Sequence, residues 1–139
     1  MSRVDIRRVT RDDVDLFERI APAVFDEPVR PARLAAYLAD RNHLMVVAVR
    51  AGEIVGQAAS VIHRHPDKPA ELCIDEVGVT PGHRRKGIAR RMMAEMTAWS
   101  CEYGCEEAWL GTEPDNAPAN ALYRRYADAE PILMYYWEL

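Results

Sequence analysis

The sequence predicts a single α/β (α+β) domain over residues 1–139, with a mixed central sheet and flanking helices. A length of 139 residues with 49% hydrophobic content fits one core and a ligand cleft. Runs of β-branched apolar residues alternate with segments of helical periodicity, and prolines and glycines separate them. The predicted order of elements is β-α-α-β-β-β-α-β-α-β.

The first half of the chain is predicted to hold one strand, two helices and a hairpin. Residues 4–9 read as a short strand, and Thr10 is a suitable N-cap for a helix that carries the apolar residues of 14–20. Pro31 begins a second short helix, in which Leu34, Tyr37 and Leu38 have helical spacing. The hairpin has strands over residues 44–49 and 54–62 and a turn at 51–53.

The second half alternates strands and helices. A strand over residues 71–79 ends at Thr80-Pro81-Gly82, because proline and glycine both oppose its continuation. A helix from Ile88 to about residue 103 has an apolar stripe on one face and stops at Gly104. The remaining predicted elements are a strand over 107–112, a helix over 117–126 and a closing strand over 132–139 that is rich in Tyr and Trp.

Residues 75–93 join a buried strand to a basic turn and then to an amphipathic helix. Gly87 lets the backbone approach a ligand closely, and the helix that follows directs free N–H groups and its positive end at the turn. This arrangement favours a phosphate-binding site. The alternative is a solvated basic turn without a ligand.

The overall charge and composition exclude several classes of protein. A formal charge of -4 disfavours binding to nucleic acid or to anionic membranes and attracts cationic molecules. No segment has the length of a membrane span, and the first ten residues lack the apolar block of a signal peptide, which predicts a cytoplasmic protein. The three cysteines are too few for a disulfide framework and are expected to be free thiols.

Two motifs in this order resemble the GCN5-related N-acetyltransferase (GNAT) superfamily. The first is Arg84-Arg85-Lys86-Gly87-Ile88-Ala89, between a strand end and a helix, and the second is Asn116-x-x-Ala119-x-x-Leu122-Tyr123. The resemblance implies the GNAT fold, a mixed and mostly antiparallel sheet with splayed strands and flanking helices. The stretch from Glu76 to Ala89 also resembles the aminoglycoside 3-N-acetyltransferase branch. The chain departs from the family after Tyr123, where a Gly-Phe pair is usual and Arg124-Arg125 stands instead.

The resemblance implies acetyl-coenzyme A as co-substrate. Its pyrophosphate would meet the N–H groups of Arg85, Lys86, Gly87, Ile88 and Ala89, and Arg84 would add charge. Its pantetheine arm would pair like an added strand with the backbone of the Val77-Gly78-Val79 segment. Core packing explains the side chains of the two valines equally well.

Candidate catalytic residues lie beside both motifs. Glu76 and Asp75 are the candidates for the general base that an amine acceptor requires, and strand parity does not choose between them without knowledge of a bulge. Glu76 is favoured, while an acid that only lines the pocket and attack through a water chain remain alternatives. The resemblance implies that Tyr123 protonates the departing thiolate, against packing on the core, and that Asn116 caps a helix and contacts the cofactor, against capping alone.

The acceptor is expected to be a cationic amine, with an aminoglycoside modified at its 3-amino position as the narrower hypothesis. Acidic residues that would converge on one mouth of this fold would attract it: Asp26, Glu27, Glu113 and Asp115, beside Asp75 and Glu76. The alternative is ordinary surface acid content. No metal is expected, because His63 and His65 have too few companion ligands. Tyr135, Tyr136 and Trp137 are expected to pack on the sheet, with a homodimer as the other reading.

The rivals of this reading are an acetyltransferase for another polyamine, amino compound or peptide amine, and a catalytically silent coenzyme A-binding regulator. A nucleic-acid binder built on residues 83–86 is a third, which the acidic balance disfavours.

Overall fold

The computed structural model describes residues 3–139, which form one five-stranded sheet in the order β1-β2-β3-β4-β5. Neighbouring strands are antiparallel except for β4 and β5, which are parallel. The strands are β1 (Asp5–Arg8), β2 (His43–Arg50), β3 (Glu53–His63), β4 (Glu71–Val79) and β5 (Glu107–Trp109). The α-helices are α1 (Pro31–Ala39), α2 (Ile88–Glu102) and α3 (Ala117–Tyr123), and short 3₁₀ helices cover Arg11–Glu18 and Pro81–His83. The predicted mixed, mostly antiparallel sheet is confirmed.

The core lies between the sheet and α2. The predicted apolar stripe of this helix is confirmed, since Ile88, Met92 and Met96 are buried against the sheet. The side chain of Met92 approaches Gly56 of β3 so closely that an added Cβ would lie 3.1 Å from its terminal methyl group. Burial of these side chains removes apolar surface from water, which is the main favourable contribution to folding.

The β2–β3 hairpin forms as predicted because its turn residues suit the turn. Ala51 and Gly52 both have positive φ, 50° and 77° respectively. Positive φ at both central positions defines the turn that matches the twist of two antiparallel strands. The turn therefore fixes the register in which β2 and β3 pair.

The helix predicted after Thr10 is a 3₁₀ helix rather than an α-helix. Thr10 and Asp13 form a reciprocal capping box at its start, as the cap prediction requires. At its end the chain leaves the helix to pair with β3, because the carbonyl of Arg19 accepts from the amide of Ile54 and the amide of Ala21 donates to the carbonyl of Ile54. This tertiary pairing limits the helix to Arg11–Glu18.

The last third of the chain departs most from prediction. The strand expected over 107–112 stops at Trp109, the helix expected to reach residue 126 ends at Tyr123, and no strand forms over 132–139. Tyr135, Tyr136 and Trp137, which were expected to pack on the sheet, are 71–82% exposed. A β-rich sequence becomes a strand only where another backbone pairs with it, and within residues 3–139 none does so here.

Two predictions about composition can be compared with the structure. Cys73, Cys101 and Cys105 are free thiols, as predicted. Within residues 3–139, no helix is both long and apolar enough to cross a membrane.

Candidate active site

A β-bulge in β4 decides on which side of the sheet Glu76 lies. In the pairing of β3 with β4, Ala59 lies opposite Glu76 while Ser60 lies opposite Ile74, so Asp75 is an extra residue without a partner. A regular strand would put residues 74 and 76 on the same face, whereas a bulge between them puts them on opposite faces. The bulge that the sequence left open is therefore present, and it places Glu76 on the face opposite to that of Ile74.

The face that carries Glu76 also carries a cavity. Met45, Ala59 and Glu76 are cross-strand neighbours on β2, β3 and β4, and all three line a cavity of about 350 Å³. The other walls come from the chain between the first 3₁₀ helix and α1 and from α1 itself, and include Phe25, Asp26, Glu27, Arg30, Arg33 and Tyr37.

The structure brings together only part of the predicted acidic mouth. Asp26, Glu27 and Glu76 line the cavity, whereas Asp75 does not. Glu113 and Asp115 lie exposed in the loop before α3 and line no part of it. Two basic residues that the sequence reading did not consider, Arg30 and Arg33, join the wall near the start of α1. The cavity thus carries both signs of charge.

Glu76 has the electrostatic environment of a base rather than of a surface carboxylate. Burial raises the pKa of Glu76 above its usual value, and the negative charges of Asp26 and Asp75 raise it further, while a hydrogen bond from the backbone of Asp26 opposes the shift. A carboxylate with a raised pKa holds an abstracted proton more tightly than an exposed one does. Glu76 therefore combines a place in the cavity wall with a raised pKa.

Tyr37 fastens α1 to the sheet and forms part of the cavity wall. Its hydroxyl lies 2.7 Å from the carbonyl oxygen of Leu44 and accepts from the amide of Ser60 at 3.1 Å, so it bridges β2 and β3. Burial raises the pKa of Tyr37, and the carboxylates of Asp75 and Glu76 add to the shift. Its hydroxyl therefore remains protonated across the physiological range. Helical spacing predicted a core residue here, and no sequence signal indicated the polar role.

The loop that carries Asp26 and Glu27 rests directly on β4. A Cβ atom added to Gly78 would lie only 2.3 Å from the backbone carbonyl oxygen of Val24, which is too close for any side chain to fit. Gln57, which pairs with Gly78 across the two strands and is fully buried, donates to the same carbonyl at 3.3 Å. The absence of a side chain at Gly78 lets the loop that carries Asp26 and Glu27 pack against β4. Gln57, which the sequence did not indicate, holds that loop in place by its hydrogen bond.

One edge of β4 is open beyond its pairing with β5. That pairing covers only the first three residues of β4, and within residues 3–139 no strand pairs with the rest of this edge. The amide of Thr80 donates to Val55 of β3. Because backbone groups alternate in direction along an antiparallel strand, the amide and carbonyl groups of Val77 and Val79 point the other way, to the open edge. Arg84 Nε donates to the Val79 carbonyl there at 2.9 Å.

The basic turn after β4 presents a concave set of amide groups. Arg85 has φ 63° and Gly87 has φ 77°, and such left-handed residues within a turn direct successive N–H groups inward. In residues 3–139, no protein acceptor bonds the six amides from Arg85 to Arg90. The α2 N-terminus has Gly87 as N-cap, no side-chain cap and no acidic residue in its first turn. An anion would complete this helix end.

The second motif supplies a capped helix and a half-buried tyrosine. Asn116 Oδ1 accepts from the amide of Ala119 at 3.3 Å, so its capping role is present. Tyr123 ends α3 and packs against the hydrophobic core, and burial raises its pKa. Its hydroxyl is therefore protonated at neutral pH and available as a proton donor. In the described part of the chain no cluster of three or more His, Cys, Asp or Glu residues has the geometry of a metal site.

An amide-lined anion loop that opens onto an unpaired strand edge is the arrangement expected of acetyl-coenzyme A-dependent N-acetyltransferases, and the comparisons with known proteins agree. The chain belongs to the acetyltransferase (GNAT) family, whose model matches residues 11–127. The predicted GNAT fold is thereby confirmed.

Three curated relatives are named as acetyltransferases. The aminoglycoside N(6')-acetyltransferase type 1 of Salmonella typhimurium is 23% identical over 95% of this chain and 97% of its own length. The N-alpha-acetyltransferase RimI of Mycobacterium tuberculosis is 32% identical over 89% of this chain and 72% of its own length. The streptothricin acetyltransferase of Streptomyces lavendulae is 37% identical over 62% of this chain, and the match spans only 44% of that relative.

Solved structures show the same fold. An aminoglycoside acetyltransferase from an uncultured soil metagenomic sample superposes with a TM-score of 0.85 at 19% identity, covering 98% of this chain and 96% of that one. The aminoglycoside N-acetyltransferase AAC(6')-Iy, solved in complex with CoA, gives a TM-score of 0.79 at 20% identity, covering 99% and 96% of the two chains.

Proposed function

We propose that this chain transfers the acetyl group of acetyl-coenzyme A to a primary amine of a cationic small molecule of the aminoglycoside type. The observation that carries the proposal is the bulge at Asp75, because it turns Glu76 into the cavity while Val77 beside it offers its backbone to the open edge. A base and a polarising amide are thus adjacent residues of one strand.

The chain offers a separate group for each part of the co-substrate. The six free amides from Arg85 to Arg90 would hold the pyrophosphate, and the open edge at Val77 and Val79 would hold the pantetheine arm. Lys86, Gly87, Arg90 and Tyr126 line a second cavity of about 420 Å³ beside this helix end, with room for the rest of the nucleotide. When bound, acetyl-coenzyme A supplies the activated acetyl thioester.

The residues of the chain then divide the proton transfers. Glu76 accepts the proton of the attacking amine, and its raised pKa suits that task. The amide of Val77 donates to the carbonyl oxygen, where charge develops in the transition state. Tyr123 donates its hydroxyl proton to the departing sulfur, and its raised pKa keeps that proton available at neutral pH.

The position of the acetylated amine is the finer part of the proposal. The sequence alone favoured the 3-amino group, whereas the aminoglycoside relative reported above is named for the 6' amine. The 6' amine is therefore the first to test. Asp26, Glu27 and Glu76 in the cavity wall support a cationic acceptor of this kind.

A second candidate acceptor is the α-amine of a peptide. Arg30 and Arg33 line the same cavity, and they would repel a molecule that carries only positive charge. A peptide N-terminus with acidic or carboxylate groups nearby would find partners of both signs. The similarity to an N-alpha-acetyltransferase supports this alternative.

The deciding experiment measures release of free thiol from acetyl-coenzyme A over a panel of aminoglycosides, polyamines and peptides, followed by mass spectrometry of the product. Aminoglycosides turned over at least tenfold faster than peptides would support the first proposal, and the reverse order would select the peptide. Tight coenzyme A binding without turnover of any amine would indicate a silent regulator instead.

The role of Glu76 is tested with Glu76→Gln, and Asp75→Asn is the matched control one residue away. The Gln variant should lose about 10² to 10⁴ in turnover, with the greatest loss at low pH, where the free amine is mostly charged. The Asn variant should keep most of its activity. If Asp75→Asn caused the larger loss, the assignment of the base would pass to Asp75.

A further inference from the structure

The loop between the first 3₁₀ helix and α1 contains a residue in a strained conformation. Ala23 has φ 64°, in the left-handed region that glycine or asparagine normally occupies in a turn. A residue with a side chain stays in this region only where the surrounding structure holds it there. The next residue, Val24, is 2% exposed and belongs to the hydrophobic core. The loop is therefore held at Val24 against the tendency of Ala23 to relax.

Gln57 is an unusual residue for its place on β3. Its side chain is fully buried, and its Nε2 donates to the carbonyl oxygen of Val24. Within residues 3–139, its other polar atom, Oε1, is buried without a hydrogen-bond partner. The amide thus satisfies one buried acceptor and introduces another, so it gives the fold little net stability. What it does provide is a fixed position for the Val24 carbonyl.

Two residues after Val24, the loop reaches Glu76. The backbone of Asp26 donates a hydrogen bond to the Glu76 carboxylate, and Asp26 lines the same cavity. Gly78, against which the Val24 carbonyl packs, lies two residues after Glu76 and so on the same face of β4. The loop therefore covers both positions of the strand. A displacement of the Val24 carbonyl would displace Asp26 and uncover Glu76.

We propose that Gln57 is a positioning residue for Glu76: its amide fixes the Val24 carbonyl and so holds Asp26 and the loop over the Glu76 carboxylate. The importance of this for acetyl transfer rests on the proposed role of Glu76 as the general base. Gln57 does not line the cavity, so it acts on the reaction only through the loop.

The position of the loop sets the affinity of Glu76 for a proton. Burial is the largest cause of the raised pKa of Glu76, the charge of Asp26 is the second, and the backbone hydrogen bond from Asp26 opposes both. A released loop would expose the carboxylate and carry Asp26 away, so the two largest causes would weaken together with the smaller opposing one. The pKa of Glu76 should then fall toward its ordinary value, and the carboxylate would hold an abstracted proton less tightly.

The other charged or titratable groups that act on Glu76 or line its cavity are carried by β4, by α1 and its N-cap, or by the same loop. They are Asp75, Tyr37, Arg30, Arg33 and Glu27. The groups on α1 keep their place without Gln57, because the hydroxyl of Tyr37 fastens this helix to β2 and β3 independently. Only Glu27 shares the loop with Asp26. A change at Gln57 therefore reports on the loop.

Titration of the Glu76 carboxyl by NMR in the free protein tests the inference without acetyl-coenzyme A. Gln57→Met has a similar length but no donor, so the proton affinity of Glu76 should fall at least threefold, which is about half a pH unit. Hydrogen exchange at the Asp26 amide should become faster in the same variant. Ser100→Ala, which removes a buried hydroxyl near the end of α2, is the matched control and should change neither quantity. An unchanged titration midpoint in Gln57→Met would overturn the inference.

A second variant separates the reach of the amide from its presence. Gln57→Asn keeps an amide on β3 but is one methylene too short to reach the Val24 carbonyl. It should therefore lower the titration midpoint of Glu76 as Gln57→Met does, and circular dichroism should show both variants folded. An Asn variant that titrates like the unmodified chain would overturn the inference, because the hydrogen bond to Val24 would then be dispensable.

Turnover separates the inference from the proposed function. In Gln57→Met, turnover of the amine should fall by up to about 10²-fold, with little change in KM for acetyl-coenzyme A, and the acid limb of the pH profile should move to lower pH. Unchanged turnover and an unmoved pH profile, in a protein that acetylates amines through Glu76, would overturn the link between Gln57 and the reaction. If no amine were acetylated, or if Glu76→Gln kept full turnover, the proposed function would fail, and the titration would still decide whether Gln57 positions the loop.

Discussion

Strands β1 to β4 with α2 form one region and the chain after Cys105 forms another, and both are rich in apolar residues but differ in burial. The first region holds most of the buried residues, including Leu72, Met92 and Met96, which are fully covered. The second region exposes Trp109, Tyr126 and the large apolar side chains of residues 132–139. The comparison shows that apolar composition makes a core only where the topology brings layers together.

Tyr123 is one of the few places where the second region meets the first. Along with Leu110, it packs against the core from the chain after Cys105, while the proposed base Glu76 lies in the sheet. The proposed active site therefore depends on both regions, and the predictions below test how each region contributes.

The largest expected effect is on turnover when Tyr123 loses its hydroxyl. Tyr123→Phe should lower turnover by about 10² to 10⁴, because the departing thiolate would lose its proton donor, while affinity for coenzyme A changes little. Steady-state kinetics and calorimetric titration would measure the two quantities. Loss of affinity with unchanged turnover would make Tyr123 a packing residue only.

A matched pair of leucines tests the difference in burial directly. Leu72→Ala should lower the free energy of unfolding by about 2–5 kcal/mol, because it leaves a cavity in the core. Leu133→Ala removes the same atoms from a side chain that is 82% exposed. Urea denaturation should show little change in the free energy of unfolding for Leu133→Ala. Equal losses from both variants would refute the comparison.

A matched pair of glycines tests the contact between β4 and the loop that carries Val24, Asp26 and Glu27. Gly78→Ala should cost about 1–3 kcal/mol, because its Cβ would meet the Val24 carbonyl, and it should raise KM for the amine more than KM for acetyl-coenzyme A. Gly111→Ala adds the same methyl group to open space after β5. Its thermal unfolding and kinetics should match those of the unmodified chain, and a larger effect there than at Gly78 would contradict the assignment.

The smallest expected effect concerns the pH dependence of stability. The pKa of Glu76 is raised in the folded state, so the folded chain binds a proton more tightly than the unfolded chain does. This group therefore lowers the free energy of unfolding as pH rises from the ordinary carboxyl range through the raised pKa. Glu76→Gln should remove that decrease and stabilise the fold at neutral pH, whereas Glu113→Gln on the exposed loop should not. Urea denaturation at several pH values would measure it, and the opposite slope would contradict the shift.

Local sequence signals predicted the elements whose boundaries depend on local chemistry. Turn and cap residues such as Gly52, Thr10 and Pro31 act within a few residues of themselves, so the hairpin, the N-cap at Thr10 and the start of α1 were foreseen. β4 begins and ends where predicted because Thr80-Pro81-Gly82 stops it. The free amides of the basic turn were predicted from Gly87 and from the helix that follows it. The catalytic roles of Glu76 and Tyr123 stay predictions.

Contacts between distant parts of the chain were beyond local signals. The hydroxyl of Tyr37 bridges two strands, and Gln57 with Gly78 holds the Val24 carbonyl, because elements far apart in sequence meet there. Arg30 and Arg33 were missed for the same reason, since only the fold puts them beside Glu76. Exposed Glu113 and Asp115 were assigned to the acceptor mouth without that knowledge.

By itself, the sequence determined the order of elements from β1 to α3, the basic turn before α2 and the family motifs, because each depends on residues that are close together in the chain. Tertiary structure decided which of two adjacent acids enters the cavity, since a bulge is a mismatch between two strands and not a property of one. It also decided that the strand-like residues 132–139 pair with no other strand within residues 3–139. A strand is completed by a neighbouring backbone, and sequence periodicity alone does not supply one.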